Sequence, residues 1–419
     1  MPEELNHNYN IDITAALKRL QGVVAKTPLI LNRNLSKKYN CNIYFKREDL
    51  QIVRSYKIRG AYNMISSLSQ EDLAKGVVCA SAGNHAQGFA YSCNLLKVKG
   101  VVFMPTIAQS QKVAQTQMFG DKYVEVKLIG DTYDDCSIAA KKFTEENNMV
   151  YIPPFDNELI IAGQATVGVE IDEDLQNIDY IFVPVGGGGL CSGIISYFNK
   201  QKPNTQIVGI EPAGAPAMAN AIKFGSPVTL DNIDSFVDGA AVKRIGNITF
   251  NICRNVLKNN LILVPEGKVC TTILDLYTKE AIVVEPAGAL SVAALDFYAD
   301  KIKGKNIVCI ISGSNNNIDR LQEIKERSLL YEGLKHYFII RFAQRPGVLK
   351  EFVNKVLGES DDITRFEYIQ KNNKESGPAL IGIEVKTKND YELLLKNFHK
   401  YQINFTELNN TELLSSYLI

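Results

Sequence analysis

Short apolar runs bounded by Gly, Pro, Asp or Ser recur along the first three-quarters of the chain. They are "GVVCAS", "VKGVVFM", "KYVEVKLIG", "DYIFVPVGGGG", "QIVGIE" and "KNIVCIIS". Their apolar character is continuous rather than alternating, which predicts strands buried on both faces. Between them lie segments such as "DTYDDCSIAAKKFTEEN", whose apolar positions recur at helical spacing. Strands alternating with helices predict an α/β architecture around largely parallel sheets, from about residue 20 to residue 320.

The pattern then changes. "LQEIKERSLLYEGLK" reads as a charged helix or linker. After it the order becomes strand, helix, strand, strand, helix, strand, the strands being "HYFIIRF", "DITRFEYIQ", "ALIGIEVKT" and "INFTEL". The helix after "RPG" sets Val348, Leu349, Phe352, Val353 and Val356 on one face, and the second sets Tyr391, Leu394, Leu395 and Phe398 on another. This βαββαβ order predicts a ferredoxin-like module over 331–419, with the boundary to a larger region, 1–330, near residue 330.

Composition narrows the function classes without naming one. A chain of 419 residues exceeds a typical domain of roughly 100–200 residues. Lys plus Arg and Asp plus Glu both number 46, which favours neither nucleic acid nor an anionic membrane as partner. The start, "MPEELNHNYN", lacks the basic patch and apolar run of a signal peptide. No apolar run approaches the roughly 18 residues of a membrane span. The eight cysteines form no C-x-x-C pair, and Cys79 and Cys309 sit in apolar runs, as small buried hydrophobes of a reducing compartment do. A soluble cytoplasmic protein is expected.

The strongest chemical signal is "DYIFVPVGGGGLCSGIISYF": a strand, four glycines and a helix. The backbone N–H groups of Gly186, Gly187, Gly188 and Gly189 can converge on one point, and the helix N-terminus adds its positive dipole end. Together they make an anion cradle suited to a phosphate. A tight turn needs only one or two glycines. A Walker A loop would end in Gly-Lys-Ser/Thr, and none is present. The dinucleotide fingerprint also fails, because its sixth position is Cys191 counted from Gly186 and Ser192 counted from Gly187. Glu211, ending "QIVGIE", stands where a ribose-binding acid would, so a nicotinamide-dependent oxidoreductase stays open as a second reading. Cys191 at a helix start allows a third, a thiol enzyme, although no catalytic partner for it is apparent.

Three further stretches bear on the choice. In "SAGNHAQGFAYS", Ser81, Gly83, Asn84 and His85 form a donor-rich loop that opens a helix. It reads either as a carboxylate site or as a plain N-cap. In "IISGSNNN" a strand delivers Ser312 to its C-terminal end, the site edge of a parallel sheet, unless it is a simple polar turn. In "RSYKIRGAYN", Lys57 stands among bulky and basic neighbours with Arg59 and Gly60 directly after it, as a solvated helix charge or as a nucleophile. A phosphate cradle, a carboxylate loop, a lysine and a strand-end serine suggest one cofactor, pyridoxal 5′-phosphate. Its phosphate, pyridine nitrogen, phenolic oxygen and lysine-reactive aldehyde each need such a partner.

"SYKIRGAYN", "SAGNHAQG", "GGGGL", "FVDGAAVKRIG" and "SGSN" resemble, in order, the motifs of the fold-type-II pyridoxal-phosphate enzymes. The match is closest to the threonine dehydratases, over essentially the whole chain. "RFAQRPGVL" and "DITRFEYIQ" resemble the ACT-like regulatory domain of the biosynthetic form. The resemblance implies a tryptophan synthase β-like catalytic region of two parallel-sheet subdomains, followed by a ferredoxin-like ACT-like domain. It implies that Lys57 binds the cofactor covalently and then removes the α-proton, and that Asn84 hydrogen-bonds the 3′-oxygen. Gly186 to Gly189 with the Leu190 backbone would hold the phosphate, and Ser312 would face the pyridine nitrogen. The substrate carboxylate would lie on Ser81, Ala82, Gly83, Asn84 and His85. A serine hydroxyl stabilises a pyridinium less than a carboxylate does, so the implied chemistry is prompt expulsion of a β-hydroxyl. L-Threonine would give 2-oxobutanoate and ammonia, the first committed step of isoleucine biosynthesis, with L-serine a poorer substrate.

The resemblance further implies isoleucine as an inhibitor, valine as a second candidate effector, and a homo-oligomer, tetramer or dimer. Three positions depart from related enzymes. Ala82 stands where serine racemases carry a proton-donating serine. Ala217 stands where those relatives complete, with the counterpart of Glu211, a divalent-cation site, so no such metal is expected; a monovalent ion stays open. The C-terminal region has room for one ACT-like module, not two. An L-serine dehydratase of the same family, the oxidoreductase, and an amino-acid-binding regulator with a degenerate catalytic half are the alternatives.

Overall fold

The computed structural model describes residues 9–368 and 375–409, together with Thr411. They form two compact units. One comprises the chain to Glu266 plus Leu276–Asn317, and the other Gly267–Asp275 plus the chain from Ile318.

Among the described residues, the first unit holds ten strands: β1 (Leu29–Leu31), β2 (Asn42–Arg47), β3 (Val77–Ala80), β4 (Gly100–Met104), β5 (Val124–Leu128), β6 (Val150–Tyr151), β7 (Tyr180–Pro184), β8 (Gln206–Pro212), β9 (Leu261–Val264) and β10 (Asn306–Ile311). They make a six-stranded sheet, β1-β2-β10-β7-β8-β9, and a four-stranded sheet, β5-β4-β3-β6. Only β1 runs antiparallel to its neighbour; the other pairings are parallel. The six apolar runs of the sequence are β3, β4, β5, β7, β8 and β10. Of these, β5 departs from the expected double burial. It is an edge strand, its residues are half-buried or exposed, and Leu128 is 47% exposed.

The helices of this unit pack unusually close. Helix Lys57–Ser66 lies between helices Asn84–Leu96 and Glu158–Asp174. A Cβ added at Gly163 would stand 2.5 Å from the Arg59 carbonyl oxygen, and one at Gly88 would stand 2.9 Å from the Ile58 nitrogen. Only glycine permits either approach, so the backbone around Lys57 is held from two sides. Helix Glu158–Asp174 is buried continuously from Ile160 to Ile171, and Asn157 caps its start by accepting from Leu159 and Ile160. All eight cysteines are buried with free thiols. Among the described residues, no helix is long and apolar enough to cross a membrane.

The second unit contains β11 (Lys335–Ala343), β12 (Asp362–Tyr368), β13 (Ser376–Glu384) and β14 (Phe405–Glu407), paired antiparallel in the order β12-β13-β11-β14. With helices Val348–Lys355 and Lys388–Lys400 between them, the chain order is βαββαβ. Phe338, Ile340, Phe352, Ile381, Leu394 and Phe398 fill its core, with Phe398 and Phe405 edge to face at 4.7 Å. Val353 is not part of the buried face and is 48% exposed. It lies about 100° round the helix from Phe352, past the edge of a narrow apolar stripe. Ile369 and Gln370, the end of the predicted strand "DITRFEYIQ", lie outside the described residues.

Candidate active site

Lys57 begins its helix directly after a segment bonded to the end of β10. The Tyr56 N–H donates to the Ser312 carbonyl at 3.2 Å, and the Ser314 N–H donates to the Arg54 carbonyl at 2.9 Å. Ser55 and Gly313 form an isolated antiparallel bridge. Two motifs at opposite ends of the unit's sequence thus share backbone hydrogen bonds. The Lys57 ammonium is half-buried and donates to the Pro154 carbonyl at 2.8 Å. Burial pushes its pKa down to about 8, against an opposing pull from Glu285.

Arg59, two residues on, turns away into the core and is fully buried. Its guanidinium bonds Glu48 through Nε and Nη2, both at 2.8 Å, and Glu170 through Nη1 and Nη2 at 2.7 and 2.9 Å. Gly60 allows the close approach of helix Glu158–Asp174, since a Cβ there would meet Gln164 at 2.4 Å. The residues that follow Lys57 therefore fix the helix, while Lys57 faces the site.

The segment that accepts the Lys57 ammonium also walls the glycine loop. Phe155, next to Pro154, lies so close that a Cβ on Gly187 would be 2.2 Å from its ring. Asp156 accepts from the N–H groups of Asn247, Ile248 and Thr249, tying down the start of helix Asn247–Leu257. Thr249 Oγ1 in turn donates to the Gly187 carbonyl at 2.7 Å. Gly188 adopts φ +91°, a left-handed conformation suited to glycine, immediately before helix Gly189–Gln201. On the far side, Ala240 from "FVDGAAVKRIG" comes within 2.9 Å of where a Gly186 Cβ would be. The Leu190 side chain is buried in the core.

Asn84 begins helix Asn84–Leu96. Its Nδ2 donates to Glu285 Oε1 at 2.6 Å, and its Oδ1 accepts from Asn315 Nδ2 at 2.7 Å. Within the loop before it, Ser81 Oγ accepts from the Gly83 N–H at 3.2 Å. The His85 ring is turned to the Ile152 carbonyl at 3.1 Å, and burial together with the Lys57 charge pushes its pKa down to about 3. Such an imidazole stays neutral, so any contact of His85 with a carboxylate would come from its backbone N–H. Ser312 stands at the end of β10 and is 3% exposed.

Neither competing reading finds its residues free. Glu211 is buried, and its two oxygens accept from the N–H groups of Met218 at 2.6 Å and Ala219 at 2.9 Å. It caps helix Ala217–Phe224 instead of facing a ribose, and burial pushes its pKa up to about 8. The Cys191 thiol is buried, and its hydrogen bond to Cys253, together with burial, holds its pKa well above the ordinary value. That is the opposite of an activated thiol. The site also contains residues that sequence reasoning missed: Pro154, Phe155, Thr249 and Glu285. Glu285 lies in "EPAGAL", where a glutamate before a helix-opening proline reads as an ordinary helix start.

Residues 20–313 match the family described as pyridoxal-phosphate dependent enzyme, and residues 326–418 match the C-terminal regulatory domain of threonine dehydratase. The chain is 56% identical to the biosynthetic L-threonine dehydratase IlvA of Halalkalibacterium halodurans, over 97% of this chain and 98% of that protein. It is 52% identical to the protein of the same name from Bacillus subtilis, over 97% and 96%. Among solved structures it resembles the processed form of threonine deaminase isoform 2 from Solanum lycopersicum, with a TM-score of 0.72 and 39% identity over 75% of this chain and 92% of that one. Serine racemase from Dictyostelium discoideum follows at a TM-score of 0.67 and 33% identity, over 73% and 98%. With both regions matched and identity above half along nearly the full length, the chain belongs to the biosynthetic threonine dehydratases, a family of pyridoxal-phosphate-dependent lyases with a C-terminal regulatory domain.

Proposed function

We propose that this enzyme converts L-threonine to 2-oxobutanoate and ammonia at the site around Lys57, opening the route to isoleucine. The observation that carries the reading is the meeting of Lys57 with the glycine loop across one short segment. Pro154 receives the ammonium, and Phe155 walls the loop. When bound, pyridoxal 5′-phosphate supplies an electron sink for the pair left at Cα once the proton is removed. The residues fit that group: a cradle with no room for side chains, a lysine beside it, and an asparagine amide facing the same space.

In this reading the backbone N–H groups of Gly186 to Leu190 bind the phosphate. Lys57 would hold the cofactor at its aldehyde carbon, and its free amine would take the α-proton of the substrate. A lysine whose pKa is pushed down to about 8 is partly neutral near pH 7, as a nucleophile and base must be. Asn84 would donate to the phenolic oxygen, the Ser312 hydroxyl would meet the pyridine nitrogen, and the loop from Ser81 to His85 would hold the substrate carboxylate. The β-hydroxyl leaves as water, and hydrolysis releases ammonia. Ala82 has no proton to return to the opposite face of Cα. L-Threonine should therefore give 2-oxobutanoate and ammonia in equal amounts, and L-serine should give pyruvate more slowly. Both are read by coupled assay with chiral analysis of residual serine. Accumulation of D-serine, or no oxo acid from threonine, overturns the reading.

Residues 331–419 are read as the regulatory domain, binding isoleucine, with valine as a second effector, in a cytoplasmic homo-oligomer. This unit has an open cavity of about 540 Å³ lined by Arg345, Gly347, Val348, Leu349, Lys350 and Tyr368. Gly347, at φ +84°, opens helix Val348–Lys355 and leaves N–H groups free for a carboxylate. Lys350→Glu in the full-length enzyme places a like charge beside that carboxylate. It should move the midpoint of isoleucine inhibition to higher concentration, within a coupling of roughly 1–3 kcal/mol. An unmoved midpoint, or an enzyme that ignores both amino acids, overturns the assignment.

A further inference from the structure

The Glu285 carboxyl lies at the centre of the site, although no recognised motif contains it. It is 4% exposed, accepts from Asn84 Nδ2 at 2.6 Å, and also accepts from the Asn315 backbone N–H. Its own N–H donates to the Gly313 carbonyl at 3.2 Å. A Cβ on Gly313 would stand 2.3 Å from Oε1, so the carboxyl fits only because that residue is glycine. Its two donors are neutral amides. Of the other buried carboxylates described in this unit, Glu48 and Glu170 are held by Arg59 and Lys46, Asp49 by Arg47, and Glu211 by two N–H groups of the helix it caps. Burying a carboxyl against neutral donors alone is costly, and the Glu285 side chain, unlike that of Glu211, makes no cap bond to the helix it precedes. Burial and Asp238 push its pKa up to about 7, and Asn84, Lys112 and the Asn315 N–H pull it back. Its charge in turn raises the pKa of both Lys57 and Tyr56, against burial at the lysine and along with burial at the tyrosine.

The hydrogen bonds around Asn84 settle which way its amide points. Asn315 Nδ2 donates both hydrogens, one to the Val53 carbonyl at 2.9 Å and one to Asn84 Oδ1 at 2.7 Å. Asn84 therefore turns its oxygen to Asn315 and its nitrogen to Glu285. One Nδ2 hydrogen goes to Glu285, and the second is left for a ligand. A flipped amide would set oxygen against the carboxyl and nitrogen against nitrogen, losing both bonds. We infer that Glu285 is a positioning residue of the cofactor site, fixing the Asn84 amide together with Asn315 so that its remaining N–H meets the cofactor's phenolic oxygen. This rests on the reading of Asn84 as the ligand of that oxygen.

The test compares full-length wild type, Asn84→Ala, Glu285→Gln, Glu285→Ala and the double variant Asn84→Ala/Glu285→Ala. The readouts are the dissociation constant of pyridoxal 5′-phosphate from the resolved enzyme and the pH midpoint of the bound cofactor's visible absorption. Thermal melting checks the fold. Glu285→Ala should weaken cofactor binding roughly tenfold and move the absorption midpoint. Glu285→Gln retains a carbonyl that accepts from Asn84 and should lose less. The double variant should bind no more weakly than Asn84→Ala alone, because both changes remove one interaction. Effects that multiply in the double variant overturn the inference, as do Glu285 variants with wild-type affinity and midpoint. If Asn84→Ala leaves both readouts unchanged, the reading of Asn84 itself fails, and the inference with it. Should Glu285→Ala not fold, Glu285→Gln with Asn84→Ala supplies the same cycle.

Discussion

Lys57→Ala is expected to abolish turnover of L-threonine, because one change removes both the covalent anchor and the base. Loss of a positioned base alone costs about 10²–10⁴-fold in rate, so with the anchor gone the barrier should rise by several kcal/mol. After borohydride treatment, no cofactor should remain attached to the chain. The fold should survive. Lys57 loses its proton at about 8 in the folded chain, against an ordinary value of 10.5. Between those values the unfolded chain binds more protons, so Lys57 makes stability rise with pH through that window. Below about pH 8 the fold carries the whole cost of the desolvated ammonium. The alanine variant, free of cofactor, should therefore melt no lower than wild type at pH 6–7 and lose part of the wild-type gain between pH 8 and 10. Near-normal turnover with a borohydride-reducible lysine bond in the variant would place the chemistry on another lysine.

The strands that could be read from the sequence are those whose burial left a continuous apolar run. Residues 77–80 of β3 and 100–104 of β4 are buried throughout, and "VVCA" and "GVVFM" say so directly. β2, "NIYFKR", is paired on both sides in its sheet but carries Lys46 and Arg47, so no apolar run marks it. Lys46 is nonetheless fully buried, because Glu170 neutralises it at 2.6 Å from 124 residues away. Periodicity cannot register a charge paired at that separation. The site divides along the same line. Lys57, Asn84, the four glycines and Ser312 each sit in a short stretch whose composition is unusual by itself. Pro154 contributes a backbone carbonyl, which no residue type announces. Glu285 matters only because helix Pro286–Ala293 brings it to Asn84, 201 residues earlier. What the sequence hid is what tertiary adjacency alone supplies.

Arg59→Ala should be the most destabilising single change in the catalytic unit, and the reason also explains why this arginine follows Lys57 so closely. Arg59 and Lys46 face Glu48 and Glu170 in a buried set of two cations and two anions. Thr166 accepts from Arg59 at 3.0 Å, and the Thr27 carbonyl accepts from Lys46 at 2.6 Å. Removing Arg59 leaves Glu48 buried without its forked partner, and breaking such a pair costs about 3–5 kcal/mol. Arg59→Lys keeps the charge but not the two parallel bonds to each carboxylate, so its loss should be intermediate. Burial works to raise the Glu48 pKa, but Arg59 outweighs it and holds the carboxyl below its ordinary value. In wild type that pairing stabilises the fold fully above the ordinary carboxylate pKa, and the stabilisation is lost as pH falls from there through the lowered Glu48 value. Without Arg59, only Lys46 and the Thr27 hydroxyl oppose burial, so the Glu48 pKa rises and protonation relieves the unpaired charge. The deficit of Arg59→Ala, measured by chemical denaturation, should therefore be largest near pH 8 and shrink towards pH 5. A loss below about 1 kcal/mol, the range of exposed ion pairs, or a deficit independent of pH, would show that the buried set does not hold the Lys57 helix. Because the Arg59 carbonyl lies against Gly163 across a close helix contact, loosening this anchor also shifts the start of the helix. Cofactor affinity should then fall in Arg59→Lys even where the protein remains folded.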